Sequence, residues 1–357
     1  MHDPDIEDHL IGILLGTAVG DALGLPCENL SPRRRRTLFP GPARHRLLFG
    51  RGMISDDTEQ TLFVAQSLLK HADDAAAFQR DLAKRLRNWF LALPAGLGKA
   101  TLRACLKLCL GWPAGRSGVR SAGNGAAMRA ALIGGYFHNE PEDLERFVRA
   151  ASEITHCDPR AIVGALAVAH VSAWTAERSN AEMPEAAEVC DRLKTIAPGD
   201  AEWQRLVATI QQAHAHGRSV QEFAAELGLE HGVTGYVYHT VPVAVYAWLR
   251  HYGDFRATVE AALDCGGDTD TVGAIAGALA GATCGASGIP AEWIDPICDW
   301  PRSVAVLREA GRRLAAQRRS GSGPGPVAYF WPAVLLRNLF FLVVVLLHGF
   351  RRLGPPF

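Results

Sequence analysis

Apolar residues recur at three- and four-residue spacing along most of the chain, and this period constrains the fold more than any other feature. Such spacing places the apolar side chains on one face of an amphipathic α-helix. Convincing strands are absent, and Gly, Pro, Asp and Asn separate the helical segments between residues 6 and 317. The pattern is clearest at residues 57–70, 75–91, 142–154, 160–176, 201–216 and 301–317. The sequence therefore predicts an all-α fold, a compact bundle of many helices.

Two segments, residues 10–25 and 272–288, are unusually rich in small residues. In the second, glycine recurs at every fourth position, at Gly273, Gly277, Gly281 and Gly285. One face of that helix is nearly flat, which lets a neighbouring helix axis approach more closely than the usual ~8–10 Å. We expect a central, rigid helix that holds whatever precedes it.

Charge and cysteine content exclude several classes of protein. Lys plus Arg and Asp plus Glu both number 37 among the 357 residues, so no overall field favours nucleic acid, and no nucleic-acid partner is expected. The eight cysteines form no C-x-x-C pair and no zinc-ligand spacing, which indicates reduced, mostly buried thiols. Residues 1–5 lack the basic start of a secretory signal. A cytoplasmic catalytic domain is the expectation.

The composition changes after residue 317. Residues 1–317 are predicted to form the catalytic domain, and the Ser/Gly/Pro-rich residues 318–326 a flexible linker. Residues 327–350 are almost wholly apolar and as a helix would span about 36 Å, enough to cross a bilayer core of ~30 Å. They predict a hydrophobic helix that anchors the domain to a membrane. The alternative is a helix docked on a partner or on the domain's own groove.

The strongest chemical signal is Gly-Gly-Asp-Thr-Asp-Thr at residues 266–271, directly before the glycine-rich helix. Its carboxylates, Asp268 and Asp270, stand two residues apart, and the Thr271 hydroxyl follows. Hard oxygen ligands of this kind are what Mg²⁺ prefers. A simple helix N-cap would need one such residue rather than a run of four.

A second acidic cluster, Ser55-Asp56-Asp57-Thr58, also opens a helical segment. Adjacent carboxylates repel each other unless a positive charge lies between them. A capping box or an acidic first turn is the alternative interpretation. Two oxygen-rich clusters, each opening a helix, suggest one shared binuclear site that could serve hydrolysis.

Other polar motifs carry weaker signals. Asp21, in an apolar context, is predicted to support the site rather than to bind metal, and Glu28, after the turn at Pro26, could act as general acid or base. The loop at residues 121–125, Ser-Ala-Gly-Asn-Gly, could present unpaired N–H groups to a phosphate, although glycines also serve plain turns. Residues 155–159, which contain His156, form a Thr-His-x-Asp-Pro turn that commonly just caps the next helix.

As an ordered set, these motifs resemble the ADP-ribosylglycohydrolase family. The resemblance rests on G-x-x-x-G-D-A-L-G-x-x-x-E, S-D-D-T, G-N-G-A-A-M-R, I-T-H-x-D-P and G-G-D-T-D-T, with Gly235-Tyr236-Val237 and Thr240-Val241-Pro242 shortly before the last. It covers about residues 10–300 and says nothing about the C-terminal segment.

The resemblance implies an all-α enzyme that holds two Mg²⁺ ions, replaceable by Mn²⁺. Such an enzyme cleaves the glycosidic bond between ADP-ribose and an acceptor. The acceptor would be an ADP-ribosylated protein or a small ADP-ribose conjugate. Glu28 matches the family's catalytic or gating glutamate. The implied metal ligands are Ser55, Asp56, Asp57, Asp268, Asp270 and Thr271. The implied ligand-binding residues are Ser121, Gly123, Asn124, Gly125 and His156. A non-catalytic ADP-ribose-binding protein and a magnesium-dependent phosphohydrolase are the alternatives.

Overall fold

The computed structural model describes residues 5–176 and 183–354. Over these residues the chain forms eighteen α-helices and three short 3₁₀ helices, with isolated bridges but no β-sheet, which confirms the all-α prediction. The α-helices are α1 (Asp5–Gly24), α2 (Pro32–Leu38), α3 (Asp56–His71), α4 (Ala75–Leu91), α5 (Lys99–Cys109), α6 (Ala114–Ser117), α7 (Ala131–Tyr136), α8 (Pro141–Glu153), α9 (Pro159–Ala176), α10 (Ala186–Ile196), α11 (Ala201–Ala215), α12 (Val220–Glu226), α13 (Val237–Arg250), α14 (Phe255–Asp264), α15 (Thr269–Cys284), α16 (Ala291–Ile294), α17 (Val304–Ser320) and α18 (Ala333–Arg351).

The two small-residue helices, α1 and α15, pack against each other at the centre of the fold. They run antiparallel, and glycines meet at four-residue intervals along the contact. A Cβ at Gly16 would overlap the carbonyl oxygen of Gly277, and one at Gly20 would overlap that of Gly273. The close packing predicted from the glycine spacing is thus confirmed. The contact brings the start of α15 beside the end of α1, where the Thr269 hydroxyl donates to Gly24 O at 2.8 Å.

Helix α1 also holds the start of α3. Asp21 is completely buried, and its Oδ2 accepts from Ser55 N at 2.8 Å, from Thr58 N at 3.2 Å and from the Thr58 hydroxyl at 2.5 Å. Burial raises the pKa of Asp21 to about 6, although these hydrogen bonds oppose the rise. Asp21 therefore supports the site, as its apolar sequence context predicts. One helix sets the starts of both α3 and α15 side by side.

The end of the helical bundle differs from the predicted boundary by three residues. Helix α17 continues to Ser320, because Arg318 pairs with Glu140 and Arg319 with Glu7, and Gly321 ends it in the left-handed conformation. The chain that follows is bonded to the bundle. Val327 N donates to the Gln66 side chain at 2.7 Å, and Gln66 Nε2 donates to Val327 O at 2.9 Å.

Helix α18 docks on the bundle through polar side chains and through the buried Phe341 and Val344. Arg337 donates to both carboxylate oxygens of Asp299, at 3.0 and 2.5 Å, and to Ile54 O at 2.5 Å. Asn338 Nδ2 donates to Ala92 O at 2.8 Å, and the Arg352 guanidinium, just past the helix, donates to Glu28 O at 2.6 Å. This is the docked arrangement that the sequence left open beside a membrane anchor. Membrane attachment stays a prediction.

Two described helical stretches are long and apolar enough to cross a membrane by length and composition, Ile6–Cys27 and Ala333–Arg351. The most apolar window of the first is entirely buried, as expected of a core helix, whereas 39% of the second is buried. Length and hydropathy alone therefore do not separate a core helix from a surface helix in this chain.

Candidate active site

Ten of the twelve predicted site residues line one open cleft of about 850 Å³. That volume lies in the range of small-molecule sites, ~300–1,000 Å³. The ten are Glu28, Asp56, Ser121, Gly123, Asn124, Gly125, His156, Asp268, Asp270 and Thr271. Ser55 and Asp57 are buried and do not line the cleft. The structure thus brings motifs from both ends of the chain to one place.

The acidic residues of this cleft are not paired with basic side chains in the described part of the chain. Within residues 5–176 and 183–354, no Lys or Arg forms an ion pair with Glu28 or with the carboxylates of the two Asp motifs. Burial and the neighbouring carboxylates raise the pKa of Asp56, Asp57 and Asp270 well above the usual range. Burial, followed by Asp268, also raises the pKa of Glu28, and Arg352 opposes that rise. The cluster is a concentration of carboxyl groups that have no ion-pair partner among the described residues and that resist ionising together.

Asp57 links the two acidic motifs. Its Oδ2 accepts from the Ser55 hydroxyl at 3.2 Å and lies 3.4 Å from the Thr271 hydroxyl, 214 residues along the chain. Its Oδ1 is buried and has no hydrogen-bond partner among the residues that the structure describes. An unpartnered buried carboxylate oxygen is costly. It is a natural position for a cation.

The donor chemistry fits a hard divalent cation, because carboxylate and hydroxyl oxygens converge and Asp57 Oδ1 has no partner. No group of three or more His, Cys, Asp or Glu side chains in the described parts of the chain stands ready to hold a metal ion. The carboxylates would therefore have to move towards a cation, and hydroxyls, water and substrate oxygens would complete its shell. The metal-ligand assignments stay predictions.

The loop at residues 121–125 faces the acidic cluster. Asn124 Nδ2 donates to Asp268 at 2.7 Å and to the Thr240 hydroxyl at 2.9 Å. Two of the N–H groups that the sequence offered to a phosphate are already engaged, since Gly123 N donates to Ser121 Oγ at 3.3 Å and Asn124 N donates to Gly235 O at 3.0 Å. The expectation of a loop of free N–H groups is wrong at these two positions, because the loop is bonded to itself and to the segment before α13.

His156 and Arg129 are buried and contact the 121–125 loop on its inner side. Arg129 is completely buried and donates to Gly125 O at 2.8 Å and to the Thr155 hydroxyl at 2.6 Å. His156 is 2% exposed, and its ring lies against Gly123 and Gly125. Burial lowers the pKa of His156 to about 3, so the ring is neutral at physiological pH. Arg129 lies within the quoted G-N-G-A-A-M-R motif, but the sequence assigns it no role.

Sequence reasoning also missed a buried ion-pair group beside the cleft. Glu59, one turn after Asp56, pairs with Arg302 and accepts from Trp89 Nε1 at 2.7 Å. Arg337 of α18 lies 3.7 Å from Glu59 and pairs with Asp299. The arginines near Glu59 lie more than 240 residues along the chain, so no local pattern reveals them. Further cleft residues that were missed are Lys99, Thr101, His231 and Thr234.

Comparisons with known proteins agree with the motif set. The family model described as ADP-ribosylglycohydrolase matches residues 2–323. An uncharacterized protein of Archaeoglobus fulgidus is 33% identical over 82% of this chain and 93% of its own length. The ADP-ribosyl-[dinitrogen reductase] glycohydrolase of Rhodospirillum rubrum is 28% identical over 88% of this chain and 97% of its own. A solved chain titled ADP-ribosylglycohydrolase-related protein complex superposes with a TM-score of 0.64 at 27% identity, covering 87% of this chain and 99% of that one.

The family model and the named hydrolase relatives place this all-α chain among the hydrolases of the glycohydrolase class. The chain belongs to the ADP-ribosylglycohydrolase family. The family match ends at residue 323, so α18 lies beyond it.

Proposed function

We propose that this protein hydrolyses the glycosidic bond between ADP-ribose and an acceptor, using two magnesium ions held by the two acidic motifs. The observation that carries the proposal is the cluster of carboxylates in one cleft, without basic partners in the described chain and with one buried oxygen unpartnered. Ser55, Asp56, Asp57, Asp268, Asp270 and Thr271 would supply the ligands. Mn²⁺ could replace Mg²⁺, because both accept hard oxygen ligands.

The metal ions would supply positive charge against which the ribose hydroxyls and a water molecule are oriented. Asn124 fixes the carboxylate of Asp268 and ties the 121–125 loop to the same wall of the cleft. Ser121, Gly123 and Gly125 would line the position of the diphosphate and ribose. His156, neutral and buried beneath the loop, would contact the ligand without adding charge.

Glu28 is the candidate for proton transfer. It lines the cleft, and its raised pKa brings it nearer to the pH at which an acid or base can exchange a proton. As the bond to the anomeric carbon breaks, the ribose gains positive character and the leaving acceptor needs a proton. A carboxyl group in this position can donate that proton or take one from the attacking water.

The test is release of free ADP-ribose from ADP-ribosylated arginine and serine peptides, with Mg²⁺, with Mn²⁺ and after exhaustive chelation. We expect turnover with either metal and none after chelation, and the preferred peptide identifies the acceptor. Full turnover without metal would contradict the metal assignment. Binding of ADP-ribose without turnover of either peptide or of a small ADP-ribose conjugate would identify a non-catalytic binding protein.

A phosphohydrolase is the second candidate, because a binuclear magnesium site also suits cleavage of a diphosphate. The same assay separates the two reactions by product. Glycosidic cleavage releases intact ADP-ribose, whereas diphosphate cleavage releases AMP.

A further inference from the structure

The outward face of α18 is apolar, whereas its inward face carries the polar groups. Arg337 and Asn338 are buried at 7% and 0% exposure, beside the buried Phe341 and Val344, whereas an ordinary surface helix turns its charged side chains to solvent. The exposed side chains run the length of the helix and just past it, and no described segment covers them. They are Leu335, Leu336, Leu339, Phe340, Leu342, Val343, Leu346, Leu347, Phe350 and Leu353. An apolar face of this extent marks an interaction surface.

A basic surface borders the C-terminal end of this face. Residues 29–55 contain seven arginines and no acidic residue, and no acidic residue follows Glu309. Arg34 donates to Arg352 O at 2.9 Å, and the Phe39 ring stacks on His348 of α18, with the ring centroids 6.0 Å apart. Arg35 does not contribute to this surface, because it is buried and pairs with Asp264. The exposed arginines of this surface are Arg33, Arg34, Arg36, Arg44, Arg51 and Arg351.

The apolar face and the basic surface meet in one groove of about 540 Å³. Its lining includes Arg44 and Arg351 on the charged side and Val344 and Leu347 on the apolar side. Phe49, within the same arginine-rich residues 29–55, is fully exposed. Positive charge beside exposed apolar and aromatic side chains matches a surface that is anionic at its headgroups and apolar beneath them.

The inward contacts of α18 fix how it can meet a membrane. To cross a bilayer, the helix would have to withdraw Arg337 from Asp299 and Asn338 from Ala92 O, and carry the arginine into hydrocarbon. Docked on the bundle, it can instead lie along the headgroup region with its apolar face buried to a depth of ~5–10 Å.

We propose that α18 and the arginine-rich residues 29–55 form a monotopic docking surface for a bilayer containing anionic lipid. The helix lies in the plane of the membrane without spanning it. Glu28 lines both the catalytic cleft and a pocket bordered by His348 and Arg352, so binding would bring the cleft close to the membrane surface. Membrane binding through this surface involves no step of the proposed reaction.

Vesicle sedimentation of the full-length protein tests the surface. We expect binding to phosphatidylcholine vesicles containing phosphatidylglycerol and about tenfold weaker binding to pure phosphatidylcholine. The double variant Arg44→Glu/Arg351→Glu should bind the anionic vesicles about tenfold less tightly. Leu336→Glu/Leu347→Glu should do the same by removing the apolar contact. The matched control Lys84→Glu/Arg205→Glu makes the same charge change at exposed positions on α4 and α11 and should bind like the wild type.

Depth measurements separate a docked helix from a spanning one. Nitroxide labels at Leu336→Cys, near one end of the helix, and at Val343→Cys, near its middle, in a chain carrying Cys109→Ser and Cys157→Ser, lie seven residues or about 10 Å apart along the helix. Equal depths in bound vesicles support the in-plane arrangement, and depths that differ by about that length overturn it. Failure to bind anionic vesicles, equal binding to both kinds of vesicle, or a stable dimer formed through this face would also overturn the proposal. Circular dichroism of each variant confirms that lost binding is not lost folding.

Discussion

Two groups of buried carboxylates lie side by side at the start of α3, and only one of the two groups is paired with arginines. Glu59 and Asp299 are paired with Arg302 and Arg337. One turn away, Asp56 and the other carboxylates of the cleft have no basic partner among the described residues, and several have raised pKa values. The first group completes its charge balance within the protein. The second group would need a bound cation to balance its charge.

The comparison separates structural carboxylates from candidate metal ligands within one turn of helix. Asp56, Asp57 and Glu59 all lie in the first turn of α3 and look alike in the sequence. Only their distant surroundings differ, since arginines from the chain after residue 299 reach Glu59 and not the two aspartates. Substitutions in the two groups should therefore have opposite signatures, one in activity and the other in stability.

The largest effect is expected from Asp57→Asn, which keeps the shape and removes the charge. Activity should fall on the order of 10⁴-fold, because a metal site contributes several kcal/mol to the transition state. Unfolding in urea with a chelator present should be unchanged or shifted to higher urea, since a repelling charge is removed. A parallel loss of stability would place Asp57 with the structural carboxylates.

Glu28→Gln should divide the unpaired group into metal ligands and a proton-transfer residue. The amide keeps the length and hydrogen-bonding reach but cannot exchange a proton, so kcat should fall roughly 10²–10⁴-fold. Magnesium affinity, measured by calorimetry, should change little. Near-normal turnover, or outright loss of metal binding, would show that Glu28 has been assigned the wrong role.

Breaking the paired group should cost stability. Arg337→Met leaves Asp299 buried without its partner, and the free energy of unfolding should fall by about 3–5 kcal/mol. Denaturant unfolding of the full-length chain measures this. The double variant Arg337→Met/Asp299→Leu removes both charges and should lose less than Arg337→Met alone. An Arg337→Met protein as stable as the wild type would mean that α18 contributes little to the fold.

The smallest effect is stabilisation by metal. Magnesium at 100 times its dissociation constant should raise the free energy of unfolding by about 2.7 kcal/mol. Thermal unfolding with magnesium or with a chelator reports the shift. Asp57→Asn should abolish it, whereas Arg337→Met should keep it on a lower baseline. A shift of equal size in both variants would remove the distinction between the two groups.

Much of the fold could be predicted because its signals are local. The three- and four-residue period marks helices, and the starts of α3 and α15 coincide with the acidic motifs of the sequence. The glycine repeat predicted close packing but not the partner, which turned out to be α1. The end of α17 was missed by three residues, because ion pairs to Glu140 and Glu7 extend the helix into a stretch that composition assigns to a linker.

The sequence predicted which residues line the site better than it predicted the hydrogen bonds and ion pairs between them. Two acidic motifs can be read from sequence, but the pairing of Glu59 with Arg302 depends on the completed fold. Arg337 and Asn338 illustrate the limit. In a hydropathy profile they lower the hydropathy of an apolar segment. In the structure they form the hydrogen bonds that hold α18 on the bundle. The direction in which a side chain points is tertiary information.

The glycine contact between α1 and α15 has a consequence for how the protein is made. Thr269 and Gly24 touch across 245 residues of sequence. At about 5–20 residues per second, the ribosome needs roughly 10–50 s to produce the chain between them. During that time the first helix, whose interior positions are nearly all apolar, has left the ribosome without its packing partner. Until residues 269–284 emerge, the face of α1 that packs on α15 in the finished fold has no native partner.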